Sequence, residues 1–214
     1  DAQRAAKRDR VARALGVDRG ELEATVALAA TGFRTTLDLA VDRGRAGFRR
    51  YRSHRIVPIT GCLVAHPLLV ELITDADYGD ATEVLLRCGA RTGERMAAPI
   101  PADSVIRVPD DVARDAIHEE AAGRTWRISA DSFAQASPEA MDTLTAHVLA
   151  AADEVRTRHA VDLYCGVRVF AGALADRGWS VTAIDGAHSA VADAHHNLDD
   201  LDVEVIEDRK STRL

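Results

Sequence analysis

A chain of 214 residues, 47% hydrophobic with few prolines and glycines, is long enough to bury one or two modest cores. No apolar run approaches the ~20 residues needed to span a bilayer. The opening stretch DAQRAAKRDRVARAL is a charged helix and not a secretory signal, so a cytoplasmic location without membrane contact is expected. The net charge of −7 is uneven: residues 1–55 hold 13 Lys/Arg against 7 Asp/Glu, and the remainder holds 14 against 27, so the two parts should face different partners. Cys62, Cys88 and Cys165 are widely spaced without a CxxC pair, so neither a disulfide framework nor a complete zinc site can be read from them, and buried thiols are expected.

In chain order, Ala5, Val11, Ala12 and Leu15 fall on one side of a first helix with Arg and Lys opposite, an amphipathic connector. From Phe33 the apolar period becomes two. FRTTLDLAVD, a turn at DRGR, and AGFRRYRSHRIVPI predict paired strands about a tight turn at Gly44. Between Arg43 and Arg55, six arginines alternate with Phe48, Tyr51 and His54, a mixture suited to phosphate contact and base stacking. Arg43, Arg45, Arg49, Arg50 and Arg52 are therefore candidate RNA contacts; the alternative is a solvated hairpin face. HPLLVELITD returns to helical spacing, ATEVLLRCGA and DSVIRVPD are short apolar runs, and RTWRISADSF is a strand entering a loop. An α+β domain over residues 1–130 is expected, without internal repeats.

Residues 131–208 are expected to form a second domain. Its helix begins at Ser137 as N-cap with Pro138 in the first turn, followed by Glu139 and Asp142. That helix should cover the strand AVDLYCG, whose continuous apolar run reads as a buried parallel strand; SVTAID is the next. AHSAVADAHHNLDDL then directs Ala190, Val191, Ala194 and Leu198 to the sheet, and VEVIED is a third strand, giving a doubly wound α/β sheet of which three strands are present.

The turn CGVRVFAG lies between the first strand and its helix, where glycines let backbone N–H groups approach a ligand. Asp185 follows Gly166 by 19 residues, at the place where a carboxylate accepts hydrogen bonds from ribose hydroxyls. The pattern does not satisfy GxGxxG, which favours S-adenosylmethionine over a nicotinamide cofactor but leaves both, and no ligand at all, open.

WRISADSFAQASPEAMDTLTAHVL followed by VDLYCGVRVFAGALADRGWSVTAIDGAHSAVADAHHNL resembles the RNA uracil-C5 methyltransferase family, which pairs an SFxQ motif with DLYCGxG and an AxxN helix end. QRAAKRDRVARAL and GRAGFRRYRSHRIVPITGCLVAHPLL resemble the preceding segments of that family, so the likeness runs from about residue 3 to 206. The resemblance implies an α/β architecture: an N-terminal α+β central domain, then the first half of a Rossmann-like class I methyltransferase sheet. It implies S-adenosyl-L-methionine as cofactor, with Gln135 on its methionine part, Tyr164 lining the pocket, Gly166 in the turn and Asp185 on the ribose. Val169 stands where the family has a polar contact. Alternatives are a loop-capping amide for Gln135 and a core aromatic for Tyr164.

The resemblance further implies methylation of uracil C5 in tRNA or rRNA, by a cysteine that adds to C6 and a base that removes the C5 proton. Those groups are expected beyond residue 208, so the chain reads as truncated at both ends and no catalytic residue is assigned within it; a non-catalytic RNA-binding remnant is the rival reading. RKSTRL, residues 209–214, reads as an unrelated tail. In iron–sulfur members the place of Cys62 holds the last cluster ligand, which would require a longer chain. Arg168 replaces the second glycine of the turn, and two outcomes are expected: a strained, damaged site that binds cofactor poorly, or a turn relaxed to ordinary φ with Arg168 in solvent.

Overall fold

The fold was analysed in a computed structural model, which describes residues 2–208; the expected tail lies outside them. The chain divides into two units, Asp1–Ala30 and Thr31–Leu214. In the first, α1 (Ala2–Leu15) precedes a 3₁₀ turn, Arg19–Glu21. Asp18 caps that turn by accepting the Gly20 N–H at 2.7 Å, and the Glu21 carboxylate accepts the Asp18 N–H at 2.8 Å, a reciprocal capping box. Of the predicted apolar stripe only Ala12 is buried; Val11 and Leu15 are exposed.

The second unit opens with β1 (Thr36–Asp42), β2 (Arg45–Arg49), β3 (Ile56–Pro58), α2 (Pro67–Asp75), β4 (Glu83–Cys88), β5 (Arg95–Ile100) and β6 (Val112–Ala113). The strands form one sheet in the order β3-β2-β1-β4-β5-β6, antiparallel except for β5–β6. Arg43 and Gly44 both have positive φ (49° and 75°), so β1 and β2 are joined by a two-residue turn of the kind that matches strand twist. The second predicted strand is not continuous. It breaks at Arg50–Arg55, where Ser53 N–H bonds Arg50 O (3.0 Å) and Arg50 N–H bonds Arg55 O (2.8 Å), because no residue from Arg50 to Arg55 is buried to hold a pleat. Leu69, Leu72 and Ile73 of α2 pack on Leu39, Val84 and Leu86 of the sheet. Tyr78, fully buried there, donates its hydroxyl to Leu72 O at 2.7 Å, and burial pushes its phenol pKa up.

A hairpin of β7 (Ala116–Ala121) and β8 (Arg124–Ser129) follows, then α3 (Pro138–Asp153), β9 (His159–Leu163), α4 (Val169–Ala175), β10 (Ser180–Asp185), α5 (His188–Asn197) and β11 (Val203–Glu207). Strands β11-β10-β9 are parallel in that order, and the sequence-predicted helix start holds, with Ser137 Oγ accepting the Ala140 N–H at 3.1 Å. Although the hairpin lies in the range expected for the first domain, its Ile117, Ala121, Trp126 and Ile128 share a core with α4 and β10. Trp126 is the centre of that core. Its Nε1 donates to Ala121 O at 2.8 Å, and its ring lies so close to Gly172 of α4 that an added Cβ would sit 2.6 Å from it. Helix α3 rests on α4 and β7, not chiefly on β9 as expected.

The parallel sheet differs from expectation in one further respect. Strand β9 is not buried on both sides: Val161 is 64% and Leu163 60% exposed, while Ala160 and Asp162 point to the core side. In β11, Val203 and Val205 are half-buried and Ile206 is exposed. Side chains alternate across a strand, and the helices here pack on one face, so the opposite face of β9 carries the open apolar positions.

Candidate functional site

The connection from β9 to α4 reverses direction in five residues, three of them with positive φ: Tyr164 (57°), Gly166 (51°) and Arg168 (70°). For Tyr164 and Arg168 the left-handed backbone costs roughly 1–2 kcal/mol each, and such strain concentrates where a chain is shaped for a ligand. At Gly166 an added Cβ would also approach Phe133 O to 3.0 Å, so a side chain is disfavoured both by φ and by crowding. The turn is tied to the next strand: Gly166 N–H donates to Asp185 Oδ2 (2.9 Å), Cys165 N–H to Ile184 O (3.4 Å) and the Cys165 thiol to the same carbonyl (3.0 Å).

Beside this turn lies a cleft of about 130 Å³, walled by Phe133 and Gln135 from the loop before α3 and by Asp162, Tyr164, Gly166 and Val169 from the turn. Four of the five expected cofactor residues are thus brought together. Tyr164 is 81% exposed, which overturns the core-aromatic alternative. Asp185 stands outside the cleft walls, each carboxylate oxygen accepting one backbone N–H, from Gly166 and from Ala187 (2.9 Å). A carboxylate has about four acceptor positions, so it retains capacity for further donors.

At Arg168 the strained turn is the alternative observed, and the relaxed, solvent-exposed one is overturned. Its backbone keeps the left-handed conformation that a glycine would supply, so the turn is not relaxed, and its side chain is 0% exposed, so it is not in solvent. Nor is it a wall of the cleft. The guanidinium lies within the core and donates from Nη1 to Cys165 Sγ at 2.6 Å, while Nε and Nη2 have no partner. Burial pulls its pKa down, against the charges of Cys165, Asp185 and Asp162. Burial likewise raises the Cys165 thiol to about 11 despite Arg168, so this cysteine is no thiolate nucleophile at neutral pH. Asp162 is raised too, chiefly by burial.

The loop carrying Phe133 and Gln135 is held by Arg87 of β4, a buried residue with no signal in the sequence. It donates to Ser132 O (2.9 Å), to Thr36 Oγ1 (3.2 Å) and to Ser129 O. Burial lowers its pKa, opposed by Asp38, Asp193 and Asp131. The same loop borders a broad groove of about 1400 Å³ that also runs past Arg34, Phe48 and Arg114.

The five hairpin arginines divide. Arg49 pairs with Glu83 (2.6 Å) and Arg45 donates to Thr74 O (3.3 Å), so these two have protein partners. Arg43 and Arg50 are exposed, and so is Arg52, whose guanidinium lies 5.2 Å from the ring centroid of exposed Tyr51. Cys62 is half-buried against the first core, and among the described residues no group of His, Cys, Asp or Glu could hold a metal; the residues present do not fit an iron–sulfur cluster. No helix among the described residues is long and apolar enough to cross a membrane.

Parallel strands linked by helices, a glycine turn after the first and an acid at the end of the second make a Rossmann-like half-sheet of the class I methyltransferase fold. The chain superposes on the tRNA (uracil-54, C5)-methyltransferase of Pyrococcus abyssi, solved with S-adenosyl-L-homocysteine, with a TM-score of 0.75 at 24% identity, over 97% of this chain and 62% of that one. No protein-family model matches. In sequence it is 36% identical over 191 residues to an uncharacterized RNA methyltransferase of Streptomyces avermitilis, covering 78% of this chain and 44% of the relative. A second from Streptomyces coelicolor is 38% identical over 191 residues, covering 78% and 42%. The chain is similar to these RNA methyltransferases over 78% of its length, and it spans less than half the length of the curated relatives it matches.

Proposed function

We propose that this chain carries the S-adenosylmethionine-binding turn and part of the RNA-binding surface of a cytoplasmic RNA (uracil-C5)-methyltransferase acting on tRNA or rRNA. The observation that carries the reading is the left-handed turn at 164–168 opening on a cleft shared by Gln135, Tyr164, Gly166 and Val169. Bound there, the cofactor supplies a methyl group on a sulfonium. Gln135 would hold its methionine part by the side-chain amide, Tyr164 would cover it, Gly166 would allow close backbone approach, and Asp185 would accept from the ribose. The cleft is smaller than the ~300–1,000 Å³ usual for a whole small-molecule pocket, so these residues account for part of the binding surface.

Calorimetric titration with S-adenosylhomocysteine tests the reading. Binding in the micromolar range is expected, with Gly166→Val weakening it at least tenfold because a β-branched side chain crowds Phe133 O and strains the left-handed turn. Absence of binding by the wild-type chain would favour the RNA-binding remnant instead. For the RNA surface, replacing Arg43, Arg50 and Arg52 with Ala should weaken binding to folded RNA and lower the log–log salt slope by about one unit for each phosphate that is no longer neutralised. An unchanged slope would assign those arginines to solvent.

A further inference from the structure

Asn197 ends α5 and is buried, and both the oxygen and the nitrogen of its carboxamide are engaged. Oδ1 accepts the Arg127 N–H at 2.8 Å and Nδ2 donates to Arg127 O at 3.0 Å, so the side chain pairs with the outer edge of β8 as a neighbouring strand would. Nδ2 also donates to the carbonyl of Val167, at 3.4 Å, inside the turn beside the cleft. One helical turn earlier, the fully buried Asp193 grips the same strand, accepting from Ser129 N–H (2.8 Å), Ser129 Oγ (2.7 Å) and the Arg127 guanidinium. Asp193 thus docks α5 on the hairpin alone, whereas Asn197 joins the hairpin to the turn.

The carbonyl of Val167 and the N–H of Arg168 belong to one planar peptide unit. Its N–H is already bonded to Cys165 O at 2.8 Å. Holding the carbonyl as well fixes the orientation of the plane, and with it the φ of 70° at Arg168, a conformation its side chain opposes. Only an amide serves at 197, because two carbonyls need two N–H donors while the Arg127 N–H needs an acceptor.

We propose that Asn197 is a positioning residue for the cofactor turn, clamping the Val167–Arg168 peptide to the edge of β8 so that the hairpin braces the cleft; its bearing on cofactor affinity rests on the function proposed above. The matched variants are Asn197→Ala and Asp193→Ala, compared under conditions where both are folded. Hydrogen exchange at the amides of Gly166 and Arg168, without ligand, should accelerate at least tenfold in Asn197→Ala and stay within twofold of wild type in Asp193→Ala, even though both lower the urea midpoint. Titration with S-adenosylhomocysteine should follow the same split, a tenfold or greater loss for Asn197→Ala and little change for Asp193→Ala. If Asn197→Ala fails to fold, Asn197→Gln, which keeps the amide but displaces it by a methylene, should give the same direction at smaller size. Equal exchange in the two alanine variants would reduce Asn197 to a docking residue and overturn the proposal. Exchange that splits as expected, in a chain that does not bind S-adenosylhomocysteine, would uphold the clamp and refute the cofactor reading.

Discussion

The antiparallel sheet of β1–β6 and the parallel sheet with its hairpin are built to different standards. Around α2 the core residues are aliphatic, and the buried phenol of Tyr78 has its partner. From Thr31 onward, every buried side-chain nitrogen or oxygen without a partner among the described residues lies at or after Arg124, including Thr145 Oγ1, Asp162 Oδ2, Trp179 Nε1 and two nitrogens of Arg168. Left-handed non-glycine residues occur in both regions, Arg43 and Arg52 in the first and Ala122, Tyr164 and Arg168 in the second, and in the second one face of the sheet is open. Unpaired buried polar atoms reduce stability, and they are what separates the two regions. One region holds the fold; the other spends part of its stability on the site.

The sharpest test of that contrast is Trp126→Ala. Removing a fully buried indole that packs on Gly172 should cost about 3–5 kcal/mol. Trp126 and Trp179 are the chain's two tryptophans and both belong to the second core, so in the variant Trp179 fluorescence reports that region alone. In urea, the fluorescence transition is expected to move below the ellipticity transition, which the first sheet also contributes to. Coincident transitions would mean that the two cores unfold as one.

A smaller effect of opposite sign is expected at Arg168→Met. Methionine fills similar space without a charge, and a buried guanidinium with two unpaired nitrogens is a net cost, so the variant should gain about 1 kcal/mol in urea unfolding. The left-handed φ remains, so the gain isolates the charge. A loss of stability would show that the hydrogen bond to Cys165 outweighs burial.

The second region was also the more legible of the two in the sequence, though not in its details. Ser137 and Pro138 announced α3, the apolar runs gave β10 and β11, and the inward set Ala190, Val191, Ala194 and Leu198 is buried as its spacing requires. Local chemistry fixes such features. What escaped depends on partners distant in sequence: Trp126 on Gly172, and the buried charges of Arg87, Glu119 and Arg168, which a hydropathy pattern assigns to the surface. Glu119 illustrates the reason, since its carboxylate is satisfied by backbone N–H groups of Ala90, Arg91 and Glu120 that no local pattern brings together. The exposed face of β9 escaped for a similar reason, because Val161 and Leu163 read as core until the helices are seen to occupy one side.

The smallest expected effect concerns how α3 is fastened to the hairpin. Asp142 accepts the Ala122 N–H at 2.7 Å and pairs with Arg91 at 2.6 Å. Burial pushes its carboxyl pKa up, but the bonds from Arg91 and Ala122 pull it further down, so the net position is below the usual carboxylate range. A depressed folded pKa contributes stability above the unfolded value, ~3.9, and that contribution is lost as pH falls through the folded value. The side chain is 40% exposed, so solvent screening limits the ion pair to about 1 kcal/mol or less. Asp142→Asn keeps the acceptor for Ala122 and removes the charge. Its destabilisation should therefore be greatest near neutral pH, shrink with added salt, and vanish in acid once wild-type Asp142 is protonated. A deficit that persisted in acid and in high salt would assign the effect to altered packing of α3, not to the charge that pins it to Arg91.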